Sequence, residues 1–265
     1  MKYTYQYILE NRYDTNANQA RKLGDRYVIM TVISKALSPL PAYVFLNLGL
    51  HPDTITLASF FFILLSFISF VLGGAAFGVI FMLCFALLDS VDGDMARCIG
   101  PTKYGGVFDS FGADLFYALL PLGVGYYLFS QDVAVSGLHP VQILLLSALV
   151  SLSFILYRLI NAKVLNFRKS LKEESGNHSQ IAKETLPSKV LVRLIELYRH
   201  VLIRGNFFAE PGMIFWFTLL MLLRAHSILA WYLVALLAYN AGYLMTNFVG
   251  AYVFFKNFDQ KTEIR

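Results

Sequence analysis

Charge is scarce in this sequence: 15% of its 265 residues are Asp, Glu, Lys or Arg, against about 25% in an ordinary soluble domain. Cysteine is nearly absent, with Cys84 inside an apolar run and Cys98 just after it. Two thiols so placed supply neither a disulfide framework nor a cysteine metal cluster. Apolar residues take the place of charge, at 57% of the chain with a mean hydropathy of +0.57. These proportions exclude the disordered, collagenous and disulfide-rich secreted classes. One membrane domain is the expectation at this length. The polar, mixed-charge stretch from Met1 to Asp25 has no apolar core, so no cleavable signal peptide is expected.

A helix needs about 20 mostly apolar residues to cross a bilayer. Six stretches qualify: 54–74, 75–96, 105–129, 140–160, 207–224 and 228–255. The expected fold class is therefore an all-α integral membrane protein with six transmembrane helices. Gly73 and Gly74 allow a tight hairpin between the first two spans. Residues 26–50 mix apolar runs with Lys35, Pro39 and Pro41, which disfavours one continuous span. They read instead as an N-terminal amphipathic helix at the headgroups. Within 188–203, Leu191, Leu194, Ile195, Tyr198 and Leu202 share one face, the pattern of a surface helix. Residues 166–187 read as a flexible polar loop. The expected organisation is thus a segment 1–53, a transmembrane domain 54–255 containing the loop 161–206, and a tail 256–265.

The few charges are sorted by side. If the N-terminus is cytoplasmic, every Lys and Arg except Arg224 falls on the cytoplasmic face, counting Arg158 at the edge of the fourth span. The other face carries Asp132, Arg224, His139 and His226. That asymmetry is how membrane proteins set their orientation, so both termini are expected in the cytoplasm. The net charge of +5 is then a topology signal, and no nucleic-acid partner is expected.

Against this background, five of the 17 acids crowd into one short region: Asp89, Asp92, Asp94, Asp109 and Asp114. An ionisable side chain inside a span costs roughly 3 kcal/mol, so it persists where it pairs, binds an ion or lines a wet cavity. Solvation at a helix end accounts for Asp94. It does not account for Asp89, which follows Phe85-Ala86-Leu87-Leu88, nor for Asp114 inside an apolar run. Only Arg97 and Lys103 are near in sequence to neutralise these acids. Carboxylates in excess of cations are what hard divalent metals require. At about 100° per residue, Asp89, Asp92, Gly93 and Ala96 fall within one arc of a helix. Two oxygen ligands beside two nearly bare positions, followed by an arginine able to fork onto phosphate, describe a site for a pyrophosphate-bearing substrate.

The stretch Asp89-Ser-Val-Asp92-Gly93-Asp-Met-Ala96-Arg97, with Gly106 and Asp114 after it, resembles the D-x2-D-G-x2-A-R-x8-G-x3-D-x3-D motif of the CDP-alcohol phosphatidyltransferases. Pro52-Asp53-Thr54-Ile55-Thr56 also resembles the Pro-Asn-x-x-Thr entry of that family, with Asp53 in place of Asn. One position departs from the pattern. Strict counting from Arg97 puts Ser110 where the third aspartate belongs, and Asp109 is one residue early. Either Ser110 is a ligand position, or the loop is one residue shorter, Gly105 is the motif glycine and Asp109 is the ligand. In the second case Asp109 and Asp114 lie about 140° apart on a regular helix, and a π-bulge would bring them to one face.

The resemblance implies transfer of a phosphatidyl or related group from a CDP-linked donor, CDP-diacylglycerol being the expected one, to a hydroxyl acceptor with release of CMP. It further implies that Asp89, Asp92, Asp109 and Asp114 hold one or two Mg²⁺ or Mn²⁺ ions, and that Asp114 is the base on the acceptor hydroxyl. Gly93 and Ala96 would line the cytidine side, and Arg97 would orient donor phosphate or brace the carboxylates. A homodimer in the cell membrane, surrounded by lipid and with its site facing the cytoplasm, belongs to the same expectation.

Other readings remain open. A membrane prenyltransferase would show two separated Asp-rich motifs, and a secondary transporter would place its acids near the bilayer midplane. An inactive member of the same family would rest on Ser110. Arg158, Arg204, Glu210 and Lys103 either line an acceptor pocket or anchor helices at anionic headgroups. Tyr126, Tyr127, Trp216 and Trp231 read as interfacial or packing residues.

Overall fold

The computed structural model describes residues 3–11, 29–100, 102, 104–135, 137–174, 208 and 210–262. The expected surface helix 188–203 lies outside the described residues, as do Lys103 and Arg204. Among the described residues the chain is helical, with one isolated bridge between Val135 and Leu138. In chain order the helices are α1 (Tyr5–Asn11), α2 (Ile29–Leu37), α3 (Pro39–Asn47), α4 (Pro52–Val71) and α5 (Ala75–Ile99). They continue with α6 (Gly105–Ser130), α7 (Pro140–Glu174), α8 (Glu210–Leu222) and α9 (His226–Thr262).

Local chemistry accounts for several boundaries. Pro52 takes the first position of α4, where a missing N–H costs nothing, and His51 before it is extended. Gly73 turns the chain between α4 and α5 with φ +78°, and Gly100 ends the region after α5 with φ +97°. Both values favour glycine.

Six helices are long and apolar enough to cross a membrane, as expected, but they are not all the six anticipated. Ile29–Asn47 qualifies by length and composition, its two halves meeting at Ser38 just before Pro39. Ser38 itself is helical (φ −65°, ψ −27°), and helical hydrogen bonds run through it from Ser34 to Ala42, so the stretch expected to lie at the headgroups forms a helix of spanning length instead. By contrast, α8 has 13 residues, about 20 Å of helix against a hydrocarbon core of about 30 Å. Moreover, α7 remains helical to Glu174, through part of the stretch expected to be a loop.

The core is built from the facing sides of α4–α9. Phe85 of α5 stacks on Phe116 of α6 with centroids 5.5 Å apart, and Tyr117 stacks on Phe154 of α7 at 4.3 Å. Tyr127 is buried against Phe70, a packing role as expected, whereas Trp231 is half exposed. At Gly125 α6 lies close against α7: a Cβ there would lie 1.9 Å from Ser147 Oγ. A second, smaller cluster joins Ile8, Ala42, Leu46, Ile55, Val91, Met95 and Cys98. It packs α1 and α3 onto the far side of α5, and so fixes which face of α5 is left for the acidic residues.

Candidate active site

The acids lie on the last turns of α5 and the first turns of α6, at one end of the helix bundle. Asp89, Asp92, Gly93 and Ala96 are all partly buried there, on the side of α5 away from Val91 and Cys98. Asp89 and Asp109 of α6 act electrostatically on Asp92, and Asp109 acts on Asp89. Arg97 and Lys35 supply the opposing charge at Asp89. Three of the four expected metal ligands therefore share one electrostatic neighbourhood.

Asp92 is held from α4. The Thr56 hydroxyl donates to Asp92 Oδ2 at 2.5 Å, while also reaching Pro52 O one turn back at 3.2 Å. Thr56 belongs to the Pro-Asp-Thr-Ile-Thr stretch, which thereby gains a physical role, because a charge-assisted hydrogen bond aims the carboxylate. Asp53 performs a related one. Its Oδ1 accepts from Thr102 Oγ1 at 2.8 Å and its Oδ2 lies 3.4 Å from His51 Nδ1, tying the start of α4 to the α5–α6 loop.

Asp94 corrects an expectation. It is not a solvated helix-end charge: it is 1% exposed, the most buried acid of the five. The segment α2–α3 covers it, which sequence spacing on α5 alone could not reveal. Ser38 Oγ, at the junction of α2 and α3, donates to Asp94 Oδ2 at 2.7 Å, and Arg97 Nη2 donates to Oδ1 at 2.5 Å. A neighbouring contact, Ser90 Oγ to Ser34 Oγ at 2.9 Å, joins the same two elements. Arg97 thus braces a carboxylate, but that carboxylate is Asp94.

Asp114 is set apart from the other three expected ligands. It pairs with Arg158 of α7, whose Nη2 also donates to Ser110 O at 2.9 Å and to Ser110 Oγ at 3.2 Å. The Arg158 guanidinium lies 5.8 Å from the centre of the Tyr117 ring. The segment α6 runs as regular α-helix from Gly105 to Ser130, with no π turn between Asp109 and Asp114. Consequently Ser110 and Asp114, four residues apart, share the α7-facing side, while the exposed Asp109 lies about 100° from Ser110 and about 140° from Asp114 around the helix. Arg158 thus pairs with one of the expected ligands and with the serine of the alternative register. Glu210 opens α8, but its side chain lies outside the described set.

The donor set suits a hard divalent cation in kind, being carboxylate oxygens with a threonine hydroxyl behind one of them. Among the described residues, however, no three His, Cys, Asp or Glu side chains stand close enough together to hold a metal ion. The chemistry of the ligands fits Mg²⁺ or Mn²⁺; gathering them around one ion requires side-chain movement.

A family model described as CDP-alcohol phosphatidyltransferase matches residues 49–173, which takes in Asp53, Thr56, all five clustered acids and Arg158. No curated protein and no solved structure matched the chain.

Proposed function

Since the chain belongs, through residues 49–173, to the CDP-alcohol phosphatidyltransferase family of metal-dependent enzymes, we propose that it transfers a phosphatidyl group from CDP-diacylglycerol to a hydroxyl acceptor and releases CMP. The observation that carries this reading is the shared electrostatic neighbourhood of Asp89, Asp92 and Asp109, with Asp92 aimed by Thr56. Asp89, Asp92 and Asp109 would hold one or two Mg²⁺ or Mn²⁺ ions, with Asp114 completing the set after release from Arg158. When bound, the metal neutralises charge on the pyrophosphate and so eases departure of CMP.

The chain's own residues do the rest. Gly93 and Ala96 keep the α5 surface bare for the nucleotide, and Arg97 offers guanidinium donors to donor phosphate. Asp114 takes the proton of the acceptor hydroxyl as its oxygen bonds to the lipid-bearing phosphorus and the bond to CMP breaks. Arg158 pairs with Asp114 from α7 until that carboxylate is released. The expected setting is the cell membrane, with the acidic end of the bundle at the cytoplasmic face and the donor's tails in the bilayer. A homodimer is part of the same reading, and the mass of the detergent-solubilised particle tests it.

A specific observation favours a second reading, in which Ser110 occupies the third motif position: Ser110 and Asp114 share one helix face and one arginine. Substitution separates the two. If Asp109 is a ligand, Asp109→Asn abolishes metal-dependent turnover and Ser110→Ala preserves it; the second reading predicts the reverse.

The test is CMP release by purified protein from CDP-diacylglycerol with Mn²⁺ or Mg²⁺. Glycerol 3-phosphate, inositol phosphate, inositol and serine are supplied as separate acceptors. Release with one acceptor, abolished by chelation and by Asp92→Asn, supports the transferase and identifies the product. Absence of both CMP release and CDP binding overturns it.

A further inference from the structure

Arg97 sits at a divide. At about 100° per residue along α5, its direction falls between those of Gly93 and Asp94. One side leads to Asp89 and Asp92, the other to the buried contact with α2–α3. Carboxylates stand on both sides: Asp89, Asp92 and Asp109 on the first, Asp94 on the second. The side chain has gone to Asp94, and the Nη1–Nη2 edge of its guanidinium lies beside Gly93. A Cβ at 93 would meet Nη1 and Nη2 at 3.4 Å each. The Arg97 Nε is buried with no hydrogen-bond partner among the described residues, so its donors are only partly used.

Asp94 is itself immobilised. One carboxylate oxygen accepts from Arg97 and the other from Ser38 at the junction of α2 and α3. A buried carboxylate anchored at both oxygens fixes an arginine far better than a solvated one, because neither oxygen is free to follow the guanidinium if it moves. We propose that Asp94 is a positioning residue, which with Ser38 holds the Arg97 guanidinium beside Gly93 and hydrogen-bonded to Asp94 in place of the Asp89–Asp92–Asp109 carboxylates, so that it meets donor phosphate while those oxygens stay open to metal. This inference rests on the assignment of Arg97 to the donor. It adds a device drawn from outside the matched segment, since Ser38 precedes residue 49.

The loss of Asp94 leaves Arg97 to be drawn toward Asp89, whose charge it already feels. Donor binding then suffers more than the chemical step. The experiment compares wild type, Asp94→Asn, Asp94→Glu, Ser38→Ala and Arg97→Ala in detergent with Mn²⁺. It reads KM and kcat for CMP release from CDP-diacylglycerol, and the Kd of CDP by calorimetry. Asp94→Asn is expected to raise both KM and Kd about tenfold with kcat within about threefold, and Asp94→Glu to recover most of the loss. Ser38→Ala, which keeps the ion pair but frees one oxygen, is expected to raise Kd about threefold.

An unchanged CDP Kd in Asp94→Asn, alongside a weakened one in Arg97→Ala, overturns the role of Asp94 alone. An unchanged Kd in Arg97→Ala overturns the donor assignment and this inference with it. Wild type that neither binds CDP nor releases CMP overturns the functional reading as a whole. If Asp94→Asn does not fold, Ser38→Ala decides, and an unchanged Kd there overturns the proposal.

Discussion

The site contains two aspartate–arginine pairs of the same chemistry in opposite settings. Asp94–Arg97 is local, three residues apart on one helix, with side chains 0% and 20% exposed and a serine hydroxyl on the free oxygen. Asp114–Arg158 spans two helices, with side chains 48% and 26% exposed, and it shares its arginine with Ser110. Burial decides what each can be. A buried pair is costly to break, because its surviving partner is left without solvent or counter-charge, so it suits a fixed positioning role. A half-exposed pair is worth little and opens readily, so it suits a base that must release its arginine before it can accept a proton.

The sharpest way to break this comparison is to neutralise the acids in turn. Asp114→Asn is expected to lower kcat for CMP release by about 10²–10⁴-fold, the usual contribution of a general base, with CDP binding unchanged. Asp94→Asn is expected to do the opposite, and equal effects from the two would erase the distinction. Stability gives the next contrast. Asp94→Ala is expected to cost about 3–5 kcal/mol by stranding Arg97, whereas Arg158→Ala costs about 1 kcal/mol or less. Thermal unfolding of the two variants in detergent measures the difference.

A subtler probe leaves both pairs chemically intact. In Gly125→Ala the new methyl meets Ser147 Oγ, so α6 and α7 must separate, at a cost of about 1–3 kcal/mol. Widening that gap pulls Asp114 from Arg158 but leaves Asp94–Arg97 within α5 undisturbed. Turnover should therefore fall with donor affinity unchanged, as calorimetry with CDP would show. The smallest effect is expected from Ser110→Ala, which removes one side-chain hydrogen bond to Arg158 and changes stability by about 1 kcal/mol or less. A larger loss of activity than of stability would place Ser110 among the metal ligands.

The helices and the acidic cluster were largely legible from composition and spacing. Apolar length alone located α4–α7 and α9, because a span must be about 20 residues long and uncharged. Pro39 and Pro41 misled: Pro39 sits at the first position of α3, where its missing N–H is tolerated, and Ile29–Asn47 keeps the length of a span. The partners of Asp94 were not legible. Its periodicity on α5 shows that it leaves the Asp89–Asp92 face, but nothing local says that Ser38, 56 positions earlier, closes over it. Arg158 was ambiguous for a similar reason. A basic residue at a span end is electrostatically suited to headgroups, and only the packing of α7 on α6 shows that it meets Asp114. The separation of Asp109 from Ser110 and Asp114 was readable as an angle, whereas the absence of a π turn to close it was not.

The hydrogen bond from Ser38 also bears on modularity. The matched segment begins at residue 49, yet the carboxylate next to its Asp-Gly pair is completed by a hydroxyl from the helix pair before it. The motif's chemistry and its adjustment are thereby encoded in different stretches of chain. A graft of residues 49–173 onto a foreign N-terminal helix would carry the motif without this fastening. Conversely, changes confined to Ser34, Ser38 and their neighbours could retune donor affinity while every motif residue stays as it is.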